Sequence, residues 1–146
     1  MKILFDTSTL VAAIVAGHPA HNAALPLLLR VKEKADTGLV AAHSLAELYA
    51  ILTRLPVTPR ISPALARQLI QRDVIETCKI IALSADDYVT MLNHVADLAI
   101  AGGVVYDALL LHAAWISNVD QIATLNPRDF RRVYPQLADR IVSPLE

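Results

Sequence analysis

Short apolar runs alternate along this chain with longer stretches of helical periodicity, and this alternation constrains the fold more than any other feature. The first run, Ile3-Leu4-Phe5, is followed directly by Asp6 and by small hydroxyl residues that open a helix. Strands separated by helices pair in parallel, with right-handed crossovers and helices on both faces of the sheet. The sequence therefore predicts an α/β domain.

Apolar runs predict four strands and a fifth edge strand, at residues 2–5, 39–42, 79–83, 121–124 and 141–142. Helical periodicity and Pro or Gly breakers predict the helices between them, at residues 10–15, 21–34, 44–54, 63–77, 107–116 and 127–133. A further helix follows Ser84 and reaches about residue 99, with Asp87 completing a capping-box pattern. No repeat or linker interrupts this order, so residues 1–146 are predicted to form one domain.

Composition excludes several classes of protein. No apolar run approaches the roughly 20 residues that a membrane span needs, and no signal peptide is recognisable, so a cytoplasmic protein without membrane contact is expected. The single cysteine, Cys78, permits neither an internal disulfide nor a cysteine zinc site. A net charge of −1 argues against binding nucleic acid by charge alone, so any such contact should be local and assisted by a metal ion.

Acidic and amide residues recur where helices are predicted to begin after strands: Asp6, Glu47, Asp107 and the Asn126/Asp129 pair. In a parallel sheet these helix starts gather at the carboxyl edge, where α/β proteins bind ligands. Carboxylates within about 4–6 Å repel, and a divalent cation removes that conflict. Mg²⁺ or Mn²⁺ accepts one or two carboxylates with several waters, so the pattern indicates a hydrolytic metal site.

Helix capping is the alternative role for each of these residues. Asp6 is placed to cap the helix beginning at Thr7, and Ser44 with Glu47 matches a capping box. Asp107 is a possible N-cap, and Asn126 followed by proline also resembles a helix start. The sequence leaves capping and metal binding open at each position. Acids that cap helices at the same sheet edge would nevertheless lie close together and repel one another.

Other chemistries fit the sequence less well. A haloacid-dehalogenase phosphatase needs a second Asp two residues after the first, where Ser8 stands, and no receiver-domain acid pair is evident. No Gly-rich phosphate loop follows a strand, and no serine has a nucleophile-elbow context. Zinc binding by histidines is not favoured, because His21 and His112 are better explained as residues that pack helices or join polar networks.

The ordered set of motifs resembles the PIN-domain nucleases over essentially the whole chain, and the VapC-type toxins of toxin–antitoxin pairs in particular. Those motifs are Asp6-Thr7-Ser8, Glu47 in Ser-Leu-Ala-Glu-Leu, Asp107 in Tyr-Asp-Ala-Leu-Leu-Leu, the Leu52–Pro56 and Arg60–Pro63 segments, and Thr124-Leu-Asn-Pro-Arg-Asp-Phe130. The resemblance implies a three-layer α/β/α domain around a parallel sheet of four to five strands. It also implies Mg²⁺- or Mn²⁺-dependent cleavage of RNA that leaves a 5′-phosphate and a 3′-hydroxyl.

By position, the resemblance assigns Asp6, Glu47 and Asp107 as the core acids, with Asp6 and Asp107 holding the metal. The family often carries a fourth acid where this chain has Asn126. Asp129 either substitutes for that acid or only caps its helix, and the number of metal ions stays open. Thr7, Ser8 and Thr124 are expected behind the acids. Possible contacts to RNA phosphates are Arg128, Arg131 and Arg132.

The resemblance further implies a homodimer and a VapB-like antitoxin whose C-terminal segment occupies the active-site groove. The loop at residues 54–63 and the helices at residues 44–55 and 64–75 are expected to form that groove. Two other functions stay open at this point: a stand-alone PIN nuclease in RNA processing, and a catalytically silent PIN-like protein that acts by binding.

Overall fold

The computed structural model describes all residues from Met1 to Glu146. Its strands are β1 (Lys2–Phe5), β2 (Thr37–Ala41), β3 (Cys78–Ile81), β4 (Gln121–Ala123) and β5 (Ile141–Val142). Its helices are α1 (Thr7–Ile14), α2 (His21–Lys32), α3 (Ala42–Arg54), α4 (Pro63–Ile70), α5 (Ala85–Asp97), α6 (Val105–Ser117) and α7 (Pro127–Val133). None of these helices has the length and apolar character needed to cross a membrane.

The five strands form one parallel sheet in the order β3-β2-β1-β4-β5. This confirms the predicted α/β class, the parallel pairing and the edge position of β5. The chain builds outward from β1 through β2 to β3, and then returns to place β4 on the other side of β1. Strand order therefore reverses between β1 and β4, where open α/β sheets form their ligand crevice.

Alternate residues of the strands bury into two cores, one on each face of the sheet. Leu4 and Ile122 pack against α5, α6 and α7, whereas Ile3, Phe5 and Ala123 pack against α1, α3 and α4. This alternation follows from the pleat, which points successive side chains to opposite faces. The predicted three-layer arrangement is thus present, with every central strand covered on both sides.

Predicted boundaries differ from the structure mainly at helix starts. The predicted helix at residues 63–77 continues past α4 as one π-helical turn, Gln71–Ile75. The strand predicted at residues 39–42 begins and ends earlier in the structure, because β2 spans Thr37–Ala41 and α3 begins at Ala42. The capping box predicted at Ser84 is confirmed, since Asp87 accepts the Ser84 N–H while the Ser84 hydroxyl accepts the Asp87 N–H.

Gly38 in β2 is a position where any side chain would collide. A Cβ there would lie 2.8 Å from Cys78 Sγ and 2.8 Å from Val31 Cγ1. We expect Gly38→Ala to lower the free energy of unfolding by about 1–3 kcal/mol, the usual cost of overpacking a core. Urea denaturation measures it, with Gly17→Ala as control because nothing lies within 4 Å of that Cβ. Equal midpoints for the two variants would contradict the prediction.

Candidate active site

Asp6 lies at the switch point of the sheet, directly after β1, and is only 4% exposed. Its carboxylate accepts the Thr9 N–H at 2.8 Å, the Ser8 hydroxyl at 2.7 Å and the Thr124 hydroxyl at 2.7 Å. Burial is the main influence on the pKa of Asp6 and raises it, while these hydrogen bonds partly oppose the rise. Asp6 thus both caps α1, as the capping alternative predicted, and carries a fixed carboxylate at the crevice.

The other acids reach the same place from three different helices. Glu47 projects from α3 and accepts the Thr7 hydroxyl at 3.3 Å. Asp107 lies in the first turn of α6, and Asp129 in the first turn of α7. Burial, together with the charges of Asp6, Glu47 and Asp129, raises the pKa of Asp107 to about 6. Asp107 therefore lies within electrostatic reach of the other three carboxyl groups.

Capping does not account for Glu47, Asp107 or Asn126. Ser44 is fully buried inside α3, and its hydroxyl has no hydrogen-bond partner, so the predicted capping box with Glu47 is wrong. Asp107 is not the N-cap of α6, because that helix begins at Val105 without a side-chain cap. Asn126 occupies the N-cap position of α7, but its side chain makes no capping hydrogen bond.

Thr124 links the end of β4 to the acid cluster. It is fully buried, donates its hydroxyl to Asp6 Oδ2 and accepts the Asn126 N–H at 3.0 Å. The Ser8 hydroxyl, besides contacting Asp6, accepts the Leu125 N–H at 3.2 Å. Thr7, Ser8 and Thr124 therefore all lie behind the acids, where each fixes the position of a carboxylate.

The residues present fit a divalent cation of the Mg²⁺ type. No three His, Cys, Asp or Glu side chains converge closely enough to form a ready-made cage. Mg²⁺ does not need one, because it usually keeps several waters and takes only one or two carboxylates. Burial and, after it, the charges of three other acids raise the pKa of Asp107, and a divalent cation would relieve that electrostatic conflict.

The three arginines of α7 differ in whether their side chains contact the rest of the protein. Arg128 and Arg132 are exposed and make no hydrogen bond or ion pair with the protein. Arg132 borders an open hollow of about 500 Å³ that is otherwise lined by apolar side chains, including Ile100 and Val104. Arg131 instead donates to the Ile141 carbonyl at 3.2 Å and lies 3.5 Å from Glu146, so it anchors β5 and is not a free cation.

Two residues at the site were not singled out by sequence reasoning. His43 lies one turn before Glu47 on α3, with Nε2 3.5 Å from Glu47 Oε1, and its ring is parallel to that of Tyr106. Tyr106 immediately precedes Asp107. Only spacing in the sequence could have indicated these residues: His43 is four residues before Glu47 on a helix, and Tyr106 is adjacent to Asp107. The predicted polar roles of His21 and His112 are present, since His21 contacts the Ala12 carbonyl and His112 the Tyr134 hydroxyl.

Thr124→Val tests whether the residues behind the acids matter for activity. The variant keeps the volume but removes the hydroxyl that holds Asp6. If Asp6 holds a metal ion, we expect hydrolytic activity to fall about 10–100-fold, the usual effect of removing a group that supports a metal ligand. Initial rates on an RNA substrate measure it. Thr77→Val is the matched control, because its hydroxyl bonds the Asp73 carbonyl far from the acids. Similar rates for both variants would show that the Thr124 hydroxyl has no part in catalysis.

Comparison with known proteins identifies the family. The PIN domain family model matches residues 3–135. Ribonuclease VapC40 of Mycobacterium tuberculosis is 35% identical over 128 residues, which cover 88% of this chain and 87% of that protein. Ribonuclease VapC27 of the same organism is 34% identical over 126 residues, covering 86% of this chain and 83% of that protein.

Solved structures share the fold. VapBC2 from Rickettsia felis, bound to a DNA fragment from its promoter, matches with a TM-score of 0.68 at 18% identity over 98% of both chains. A toxin–antitoxin complex from Klebsiella pneumoniae matches with a TM-score of 0.65 at 18% identity over 97% of both chains. With the family match spanning nearly its whole length, this chain belongs to the PIN-domain family and is related to the VapC ribonucleases.

Proposed function

We propose that this protein is a metal-dependent endoribonuclease and the VapC-type toxin of a type II toxin–antitoxin pair. The observation that carries the proposal is that Asp6 lies where strand order reverses and that Asp107 is near enough to Asp6, Glu47 and Asp129 for their charges, together with burial, to raise its pKa. Relatives named as ribonucleases, which align over most of the chain, support RNA as the substrate. The local nature of the site agrees with the net charge of −1, which cannot supply general affinity for nucleic acid.

We assign the metal, Mg²⁺ or Mn²⁺, to Asp6 and Asp107. When bound, such an ion lowers the pKa of a coordinated water and offsets charge that develops on the phosphate. Asp6 suits this role because three hydrogen bonds fix its orientation. Asp129 adds the fourth charge to the cluster, whereas Asn126 contributes only an uncharged, exposed side chain.

Glu47 is the residue placed to receive a proton. The Thr7 hydroxyl holds one of its oxygens, and the side chain stays partly exposed, so water can reach it. In the proposed reaction, a water oxygen attacks phosphorus while its proton passes to Glu47. The bond from phosphorus to the 3′ oxygen breaks, and that oxygen takes a proton from solvent, which leaves a 5′-phosphate and a 3′-hydroxyl. Arg128 and Arg132 are free to contact neighbouring phosphates.

An antitoxin is the proposed protein partner, by analogy with the toxin–antitoxin complexes that share this fold. A hollow at the C-terminal end of α3 is suited to an apolar segment: Ala50, Ile51, Leu55 and Pro56 line a volume of about 310 Å³ with Arg54 at its edge. A homodimer in the cytoplasm is proposed alongside it. Light scattering of the purified protein, alone and with a co-expressed antitoxin, measures both assemblies.

The proposal is tested by incubating purified protein with a mixed RNA substrate in Mg²⁺, in Mn²⁺ and in EDTA. We expect internal cleavage with either metal, loss of cleavage in EDTA, and recovery when the metal is restored. End analysis of the products should find 5′-phosphates. Cleavage that persists in EDTA would refute metal dependence. A folded protein that binds RNA without cutting it would instead support the silent binding alternative, and processing of cellular RNA without growth arrest would support the stand-alone nuclease.

A further inference from the structure

The rings of Tyr106 and His43 form a parallel pair at the edge of the acid cluster. Their planes differ by 2° and their centroids are 5.5 Å apart, which is the geometry of offset stacking. Tyr106 is 53% exposed, and its hydroxyl makes no hydrogen bond with the protein. One face of the Tyr106 ring is thus directed at His43 while much of the side chain remains open to solvent.

Both rings are tied in sequence to an acid of the proposed site. His43 precedes Glu47 by one turn on α3 and approaches its carboxylate, and Tyr106 precedes Asp107 directly on α6. The pair therefore bridges the first turns of two helices that deliver carboxylates. A phosphate held at those acids would bring an adjoining nucleoside close to the Tyr106 ring.

The exposed Tyr106 ring belongs to neither hydrophobic core. Aromatic residues are only 5% of the chain, and the largest buried ones, Phe5 and Phe130, fill the two cores. Contact with His43 limits the orientations of the Tyr106 ring before any ligand arrives. A ring ordered in advance loses little conformational entropy when a flat ligand stacks on it.

We propose that Tyr106, backed by His43, forms a stacking subsite for one unpaired nucleobase beside the scissile phosphate. The inference rests on the proposed ribonuclease function and adds a base-binding subsite to it. Stacking on an aromatic ring requires a base that is free of a helix, so the cleaved bond lies in a single-stranded loop or bulge. Because every base has a π face, the subsite selects unpaired structure and tolerates different bases.

The test compares Tyr106→Ala, Tyr106→Phe and Trp115→Ala on a hairpin RNA with an unpaired loop that wild-type protein cuts. Trp115 is the matched control, an exposed aromatic residue near the other end of α6. Loss of a base–aromatic stack corresponds to about 5–150-fold in affinity. We expect Tyr106→Ala to raise KM by about tenfold or more with a smaller change in kcat, while Tyr106→Phe and Trp115→Ala stay within about twofold of wild type.

A second measurement separates stacking from a purely structural role. Removing the base next to the cleaved bond, with an abasic nucleotide, should impair wild-type protein but add little to the defect of Tyr106→Ala. Additive losses, or a Tyr106→Ala variant with wild-type KM, would overturn the subsite while leaving the ribonuclease assignment intact. If wild-type protein neither binds nor cuts any RNA, both inferences fail. Circular dichroism melting shows whether each variant is folded.

Discussion

Asp6→Asn is expected to abolish RNA cleavage while the protein stays folded. Asn retains an oxygen that accepts the Thr9 N–H, and the Ser8 and Thr124 hydroxyls can turn to accept its amide protons. The charge that would hold the cation is lost. Removing residues that merely support metal ligands costs about 10–100-fold, so losing Asp6, the proposed ligand, should cost at least ~10²-fold. Initial rates in Mg²⁺ measure the loss of cleavage, and a urea denaturation curve shows whether the variant is folded.

Asp73→Asn provides a matched control with the opposite expectation. Asp73 is as buried as Asp6 but lies far from the acids. Its Oδ1 atom is 2.5 Å from Lys32 Nζ and 2.8 Å from Arg72 Nε. Its variant should lose stability, because two cations lose their partner, and should retain cleavage at temperatures where it is folded. An Asp6→Asn protein that still cleaves in a metal-dependent way would contradict the assigned role of Asp6.

The alternation of apolar runs and helical stretches was sufficient to predict the sheet, because in a parallel α/β fold each strand is buried on both faces and reads as an uninterrupted apolar segment. The same logic placed acids at the carboxyl edge, since helices that follow parallel strands must begin there. Both inferences use only local sequence and the handedness of βαβ connections.

Helix starts were less predictable, and one sequence pattern illustrates why. Ser84 and Asp87 form a capping box, whereas Ser44 and Glu47, with the same spacing, do not. The difference lies in where the preceding strand ends, which is decided by pairing with neighbouring strands. Because β2 leads into α3 at Ala42, Ser44 is already inside the helix and Glu47 is free to face the site. The pairing of His43 with Tyr106 was unpredictable for a related reason, as it depends on how α3 packs against α6.

Asp107→Asn is expected to stabilise the metal-free protein at neutral pH although it removes a residue of the proposed active site. The pKa of Asp107 is raised from 3.8 to about 6 by burial and by the charges of Asp6, Glu47 and Asp129. Between about pH 4 and 6 the folded state therefore binds more protons than the unfolded state, and the free energy of unfolding falls as pH rises. Above pH 6 the Asp107 carboxylate is ionised in both states, and the free energy of unfolding of the wild-type protein is lowered by the full amount.

The size of the effect follows from the shift. About two pKa units correspond to at most about 3 kcal/mol, and partial exposure of the side chain reduces this to about 1–3 kcal/mol. The Asn variant should exceed wild type by that amount at pH 7 in EDTA, and the gap should close near pH 4. Urea denaturation across this pH range measures it, with the exposed Asp139→Asn as the matched control.

Addition of Mg²⁺ gives the decisive comparison between the two proteins. If the cation binds the folded state of wild type as proposed, it should stabilise that state in proportion to the logarithm of its concentration, so the advantage of the Asn variant should shrink or reverse. The variant, with one carboxylate fewer, should respond less. A gap between the two proteins that depended on neither pH nor Mg²⁺ would show that Asp107 does not experience the charges of the other acids. Crowding of like charges at this edge would then no longer be an argument for a metal site.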